Sequence, residues 1–192
     1  MLFLKDKSAS IEGKYIFFDN DFLSLILSDA ELFQNSLDIF LKCFITIDPF
    51  TEFEFLRDVF LPEQRLIREK FVSDDNIFHP ATSHQEIFNK IQENALILSK
   101  IYSHQSQKNG GKGGWSTVDL LLAGRLMLNS RTSLLITGNK RDFPTCVFDV
   151  VNVLNYEKND GGIGSFCIIE FNKSKFESAY KKLKDLEKKN NF

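Results

Sequence analysis

Apolar residues recur along this chain in two rhythms. Short unbroken runs such as Tyr15-Ile16-Phe17-Phe18 have the length and bulk of buried strands, whereas three- and four-residue steps mark amphipathic helices. The run at 15–18 feeds a helical segment at 22–27, and 30–42 keeps helix spacing through Leu32, Phe33, Leu37, Phe40 and Leu41. Residues 43–47 read as a second strand. Asp48-Pro49 then supplies an N-cap and a first-turn proline for a helix running toward Phe60. A short helical piece follows Pro62, and 73–83 reads as a polar surface connection. From His84 onward, Ile87, Ile91, Ala95, Leu98 and Ile101 define a long amphipathic helix. The polar segment 105–114 separates it from a helix between about Ser116 and Leu128. Beyond lie a buried strand at 134–137, a strand at 147–154 whose β-branched residues also suit a helix, and a turn at 160–164. A strand at 165–171 and a terminal amphipathic helix complete the pattern.

No repeat or linker interrupts the sequence, which predicts one domain over residues 1–192. Short strands alternating with helices predict a three-layer α/β arrangement, with a mostly parallel central sheet and flanking helices. In such sheets functional groups collect at the carboxyl ends of the strands. Composition supports a substantial core, since 43% of residues are hydrophobic and 20 are Phe. With 24 basic and 26 acidic residues, a net charge of −2 neither announces nor excludes a nucleic-acid partner. No stretch approaches the roughly 20 apolar residues of a membrane span. Cys43, Cys146 and Cys167 are isolated in apolar stretches, which fits small buried thiols in a reducing compartment, and the cytoplasm is expected.

Acidic residues follow several apolar segments: Asp19 and Asp21, Glu52 and Glu54, Asp119, and Asp142. Carboxylates gathered at strand ends and helix starts can share Mg²⁺ or Mn²⁺, which accept oxygen ligands and activate bound water. On this reading Asp19, Asp119 and Asp142 hold the metal, and Glu54 joins them as a catalytic carboxylate. Local capping accounts for the same residues without catalysis. Ser116 and Asp119 have capping-box spacing, Asp19 and Asp21 suit a helix start, and Glu52 and Glu54 suit a solvated helix face.

The motifs resemble the PIN domain family of metal-dependent ribonucleases, which includes toxins of bacterial toxin–antitoxin pairs. The resemblance covers about residues 15–150, with 151–192 as a C-terminal strand-helix extension. It is carried by Asp19-Asn20-Asp21 after an apolar strand, by Thr51-Glu52-Phe53-Glu54-Phe55, by Asp119-Leu120-Leu121-Leu122-Ala123, and by Thr137-Gly138-Asn139-Lys140-Arg141-Asp142-Phe143. Asp21 stands where the family often has Asn, and Arg57-Asp58 where it usually has a glycine. Either Glu52 or Glu54 fits the second motif. The resemblance implies a PIN-like fold, RNA hydrolysis leaving a 5′ phosphate and a 3′ hydroxyl, and an antitoxin or a second copy as partner.

Asp21, Glu52, Thr137 and Asn139 are candidates for orienting ligands or substrate; Lys112, Arg125, Lys140 and Arg141 are candidate phosphate contacts. The segment Gly110-Gly111-Lys112-Gly113-Gly114 lacks the order of a nucleotide-binding loop and reads as a connector or a substrate loop. Trp115 suits packing or base stacking. His79, His84 and His104 lack zinc spacing and read as surface residues. The lysine-rich terminal helix reads as a solvated face or an RNA contact. Two other function classes fit the same residues: a non-catalytic RNA- or protein-binding module, and a phosphoryl-transfer or response domain with an acidic metal pocket.

Overall fold

The computed structural model describes residues 2–5, 11–57, 59–80, 85–108, 115–158 and 160–189. In chain order the elements are β1 (Leu2–Leu4), β2 (Tyr15–Phe18), α1 (Asn20–Ser28), α2 (Ala30–Ile39), β3 (Phe44–Thr46), α3 (Pro49–Arg57) and α4 (Pro62–Val72). They continue with α5 (Gln85–Lys108), α6 (Thr117–Leu128), β4 (Ser133–Thr137), a 3₁₀ turn (Lys140–Asp142), β5 (Phe148–Glu157), β6 (Ile163–Phe171) and α7 (Lys173–Lys189).

Local chemistry sets several boundaries. Asp29 separates α1 from α2 because its carboxylate accepts from the amides of Glu31 and Leu32. Helix α2 stops before residue 42, with Phe40 fully buried and its amide donating to the Ser36 carbonyl. Pro62 opens α4, where the missing N–H costs nothing. Strand β1 escaped the sequence pattern, because three residues carry no usable periodicity. Backbone pairing holds it antiparallel to β5, from Leu2 opposite Tyr156 to Leu4 opposite Leu154.

The sheet corrects the expected fold class. It is a curled, mixed, six-stranded sheet in the order β1-β5-β6-β4-β2-β3, mostly antiparallel, in place of the parallel sheet of a three-layer PIN-like fold. Only β3-β2-β4 is parallel, and β4 meets β6 antiparallel at Leu135 opposite Ile169. The physical reason lies between β5 and β6, where the Lys158 amide donates to Gly162 O and the Gly161 amide to Lys158 O. Gly161 takes the left-handed backbone region at φ 80°. A connection this short can join only antiparallel neighbours, because a parallel crossover needs a dozen or more residues.

The chain divides into two compact units. The first comprises Met1–Ala81, Thr132–Asn139 and Val150–Ile169, and so holds α1 to α4 and nearly all of the sheet. Its core joins Ile16 and Phe18 of β2, Leu134 and Ile136 of β4 and Ile168 of β6 to Phe22, Leu23 and Ile26 of α1. The Phe18 and Phe22 rings meet edge to face at 4.9 Å. Burying each such side chain contributes about 1.5–3 kcal/mol, which anchors the start of α1 to the end of β2.

The second unit comprises Thr82–Arg131, Lys140–Asp149 and Glu170–Phe192. Helices α5 and α6 approach backbone to backbone at Gly124, where a Cβ would lie 2.6 Å from Ile91 O. The buried Asn94 amide donates to Gly124 O at 3.1 Å and fixes that contact. Among the described residues no helix is long and apolar enough to cross a membrane.

Candidate functional site

The three parallel strands bring their carboxyl ends to one edge of the first unit. Phe17 pairs with Thr46 on β3, and Phe18 with Ile136 on β4. Continuing the same registers past the strand ends, two residues on from Phe17 and Thr46 and one on from Phe18 and Ile136, Asp19 falls between Asp48 and Thr137. This row is buried, with Asp48 and Thr137 fully enclosed and Asp19 only 7% exposed.

Hydrogen bonds hold the row. Asp19 is the N-cap of α1, and its Oδ1 accepts from the Asn20 amide at 2.8 Å. Its Oδ2 accepts from the Thr137 hydroxyl at 2.7 Å, a bond that closes across 118 residues of chain. The same hydroxyl accepts from the Asn139 amide at 3.0 Å, which aims its single proton at Asp19. Asp48 begins α3 and accepts from the Phe50 amide at 3.1 Å. Asp21, on the first turn of α1, accepts from the Gly138 amide at 2.9 Å. A Cβ at position 138 would stand 2.4 Å from Asp21 Oδ2, so glycine is what lets that carboxylate approach the backbone.

Two polar atoms on residues close to the row in the chain lack hydrogen-bond partners among the described residues: Asn20 Oδ1 and the Thr51 hydroxyl, both buried. Buried polar atoms are nearly always satisfied, and bound water or an ion supplies the missing partner where protein does not. Carboxylates, an amide oxygen and a hydroxyl are hard oxygen donors, the set that suits Mg²⁺ or Mn²⁺.

On α3, Glu52 is turned toward His79, with Oε2 at 3.6 Å from Nδ1, while His79 Nε2 lies 2.7 Å from Val72 O. His79 is exposed, as the sequence suggests, and its ring lies between Glu52 and the end of α4. Glu54 is half-buried on the same helix.

The remaining predicted residues belong to the second unit. Asp119 completes a capping box on α6: its amide donates to Ser116 Oγ at 3.0 Å, and its Oδ2 accepts from the Ser116 amide at 3.2 Å. Asp142 ends the 3₁₀ turn, half-buried, and Lys140 and Arg141 are exposed. Arg125 is buried inside α6, only 2% exposed, which contrasts with its expected role as a surface phosphate contact. Lys112 and its glycine-rich neighbours, like His84, lie outside the described residues.

The buried Tyr102 of α5 packs its ring 5.1 Å from that of Trp115, and its hydroxyl has no hydrogen-bond partner among the described residues. Burial, and then the negative charges of Cys146, Asp119 and Asp142, hold its pKa well above the ordinary phenol value. Tyr102 is thus a neutral donor. The three cysteines are free and half-buried; burial, and then the charge of Glu12, pushes the Cys43 thiol up.

Among the described residues, no group of three or more His, Cys, Asp and Glu side chains converges to hold a metal ion. Sequence reasoning treated Asp48 only as a cap and passed over Asn20 and Tyr102. A signal for Asp48 existed, because it follows the strand at 43–47 much as Asp19 follows the strand at 15–18. Compared with family models, curated proteins and solved structures, the chain matches none.

Proposed function

We propose that the strand-end row of Asp48, Asp19 and Thr137 is the centre of a divalent-cation-dependent ribonuclease that hydrolyses RNA phosphodiester bonds. The observation that carries this reading is the burial of two carboxylates just beyond the carboxyl ends of adjacent parallel strands, with an orphan buried oxygen on Asn20, the residue after Asp19. Their chemistry fits a site for Mg²⁺ or Mn²⁺ held by one or two carboxylates, with water and a substrate phosphate completing the shell. Asp19 and Asp48 would hold the cation, with the Asn20 amide oxygen as a neutral third donor. When bound, the cation supplies charge neutralisation at phosphorus and a water more acidic than bulk water.

The chain's own residues perform the positioning. Thr137 and the Asn20 amide each hold one oxygen of Asp19, which orients the carboxylate. The Gly138 amide holds Asp21 at the rim, where an exposed carboxylate can accept a proton from incoming water. The proposal rests on the strand-end row and not on an all-parallel PIN fold, which this sheet lacks.

The test is cleavage of defined RNA with Mg²⁺ or Mn²⁺ and after chelation, in the wild type and in folded Asp19→Asn and Asp48→Asn variants. Cleavage should require the cation and fall on the order of 100-fold or more in each variant. Products should carry a 5′ phosphate and a 3′ hydroxyl. Undiminished cleavage in both variants rejects the site, and RNA binding without any cleavage makes the protein a binding module.

A further inference from the structure

A groove of about 230 Å³ lies between α1 and α4 of the first unit, lined by Ser24, Leu27 and Ser28 of α1 and by Gln64, Ile67 and Arg68 of α4. Arg68 is the one charged residue of this lining, and no acidic side chain belongs to it. Its guanidinium is fixed in place. It lies 4.4 Å over the ring of the buried Phe55 and donates to the Phe55 carbonyl, which clamps α4 onto α3. Glu69, the next residue along, is engaged by Arg65 at 2.8 Å, and among the described residues no carboxylate pairs with Arg68.

The clamp uses one face of the guanidinium and one N–H, and a guanidinium carries several more donors in a planar fork. The Gln64 amide and the Ser24 hydroxyl also line the groove and bond to no other group among the described residues. Ser28 differs, because its hydroxyl already donates to the Leu25 carbonyl at 2.7 Å. A cation beside neutral donors, with no carboxylate to answer it, selects an oxyanion. A phosphate monoester offers three strong acceptor oxygens and about −1.5 to −2 of charge, so it can engage Arg68, Gln64 and Ser24 together. A carboxylate brings fewer oxygens and less charge to the same donors. Leu27 and Ile67 add an apolar wall suited to a short carbon chain. The groove is smaller than the roughly 300–1,000 Å³ of pockets that enclose drug-sized ligands, so its occupant is small.

We infer that the α1–α4 groove binds a small phosphate monoester, with the phosphate on Arg68, Gln64 and Ser24 and the carbon chain against Leu27 and Ile67. The groove lies along the C-terminal half of α1, away from the Asp19 cap, and its chemistry needs no cation. Titration of the isotope-labelled full chain without divalent cation, followed by amide NMR, tests it. Propyl phosphate should bind saturably in the sub-millimolar range and shift the signals of Ser24, Gln64 and Arg68. It should bind about ten-fold or more tightly than butyrate, which carries the same chain on a carboxylate. Gln64→Glu, at an exposed position, should weaken it about ten-fold or more by setting a like charge beside the phosphate. Arg68→Lys should do the same, because an ammonium lacks the planar fork. Absence of saturable binding overturns the inference, as do shifts confined to other parts of the chain or equal affinity for butyrate. Unchanged binding in Gln64→Glu also overturns it, and that variant leaves the Arg68 clamp intact should Arg68→Lys unfold.

Discussion

Asp19 and Asp119 both stand at helix starts, but they are held in different ways. At Asp119 the hydrogen bonds are local: Ser116 and Asp119 satisfy each other's amides three residues apart, and the side chain stays half-exposed. At Asp19 one oxygen caps α1 while the other is tied to Thr137 on a neighbouring strand, with the carboxylate almost enclosed. A local cap stabilises its own helix end. A long-range hydrogen bond fixes a charged group in the tertiary structure, which is the precondition for placing a ligand. The same residue type therefore serves secondary structure in one unit and a candidate site in the other.

This contrast can be tested by removing each partner hydroxyl. Thr137→Val should cost about 1–3 kcal/mol in urea unfolding, because it strips a donor from a buried carboxylate. It should also lower RNA cleavage about 10- to 100-fold, as expected when an orienting partner is lost. A variant as stable and as active as the wild type would erase the distinction. Ser116→Ala should cost only about 0.5–2 kcal/mol, the value of a helix cap, and leave cleavage within error.

The smallest effect concerns Asp149 in the second unit. Hydrogen bonds from Lys175 and Asn172 hold its carboxyl below the ordinary value of 3.8. A depressed folded-state pKa stabilises the protein above that ordinary value, and the contribution disappears as pH falls through the lower folded value. The side chain is 34% exposed and Lys175 41%, so solvent screening limits the effect to about 0.2–1 kcal/mol. Lys175→Ala should therefore lose a little stability at pH 7, and progressively less as pH falls below 3.8, as read from paired urea titrations.

Much of the parallel half of the sheet was legible in the sequence. The runs at 15–18 and 134–137 became β2 and β4, and Asp48-Pro49 and Ser116 marked the starts of α3 and α6. The runs at 147–154 and 165–171 likewise became β5 and β6, but their antiparallel direction departs from the expected parallel sheet. The turn at 160–164 was seen, yet its brevity was not set against the crossover that a parallel sheet demands. Strand β1 carried no pattern at all. For the site, Asp19 and Thr137 stood out as motif residues, but their hydrogen bond did not. Asp48 looked like an ordinary cap because its burial depends on β2 and β3 lying side by side.

The sequence by itself determined where helices begin, which stretches are apolar enough to be strands, and which carboxylates sit at their ends. Those properties arise from neighbours a few residues away, through capping, side-chain bulk and periodicity. Only the tertiary structure decided strand direction, the register that sets Asp48, Asp19 and Thr137 in one row, and the groove between α1 and α4. Each of these depends on contacts between distant segments, and a change of one residue in register would point a different side chain to the same place.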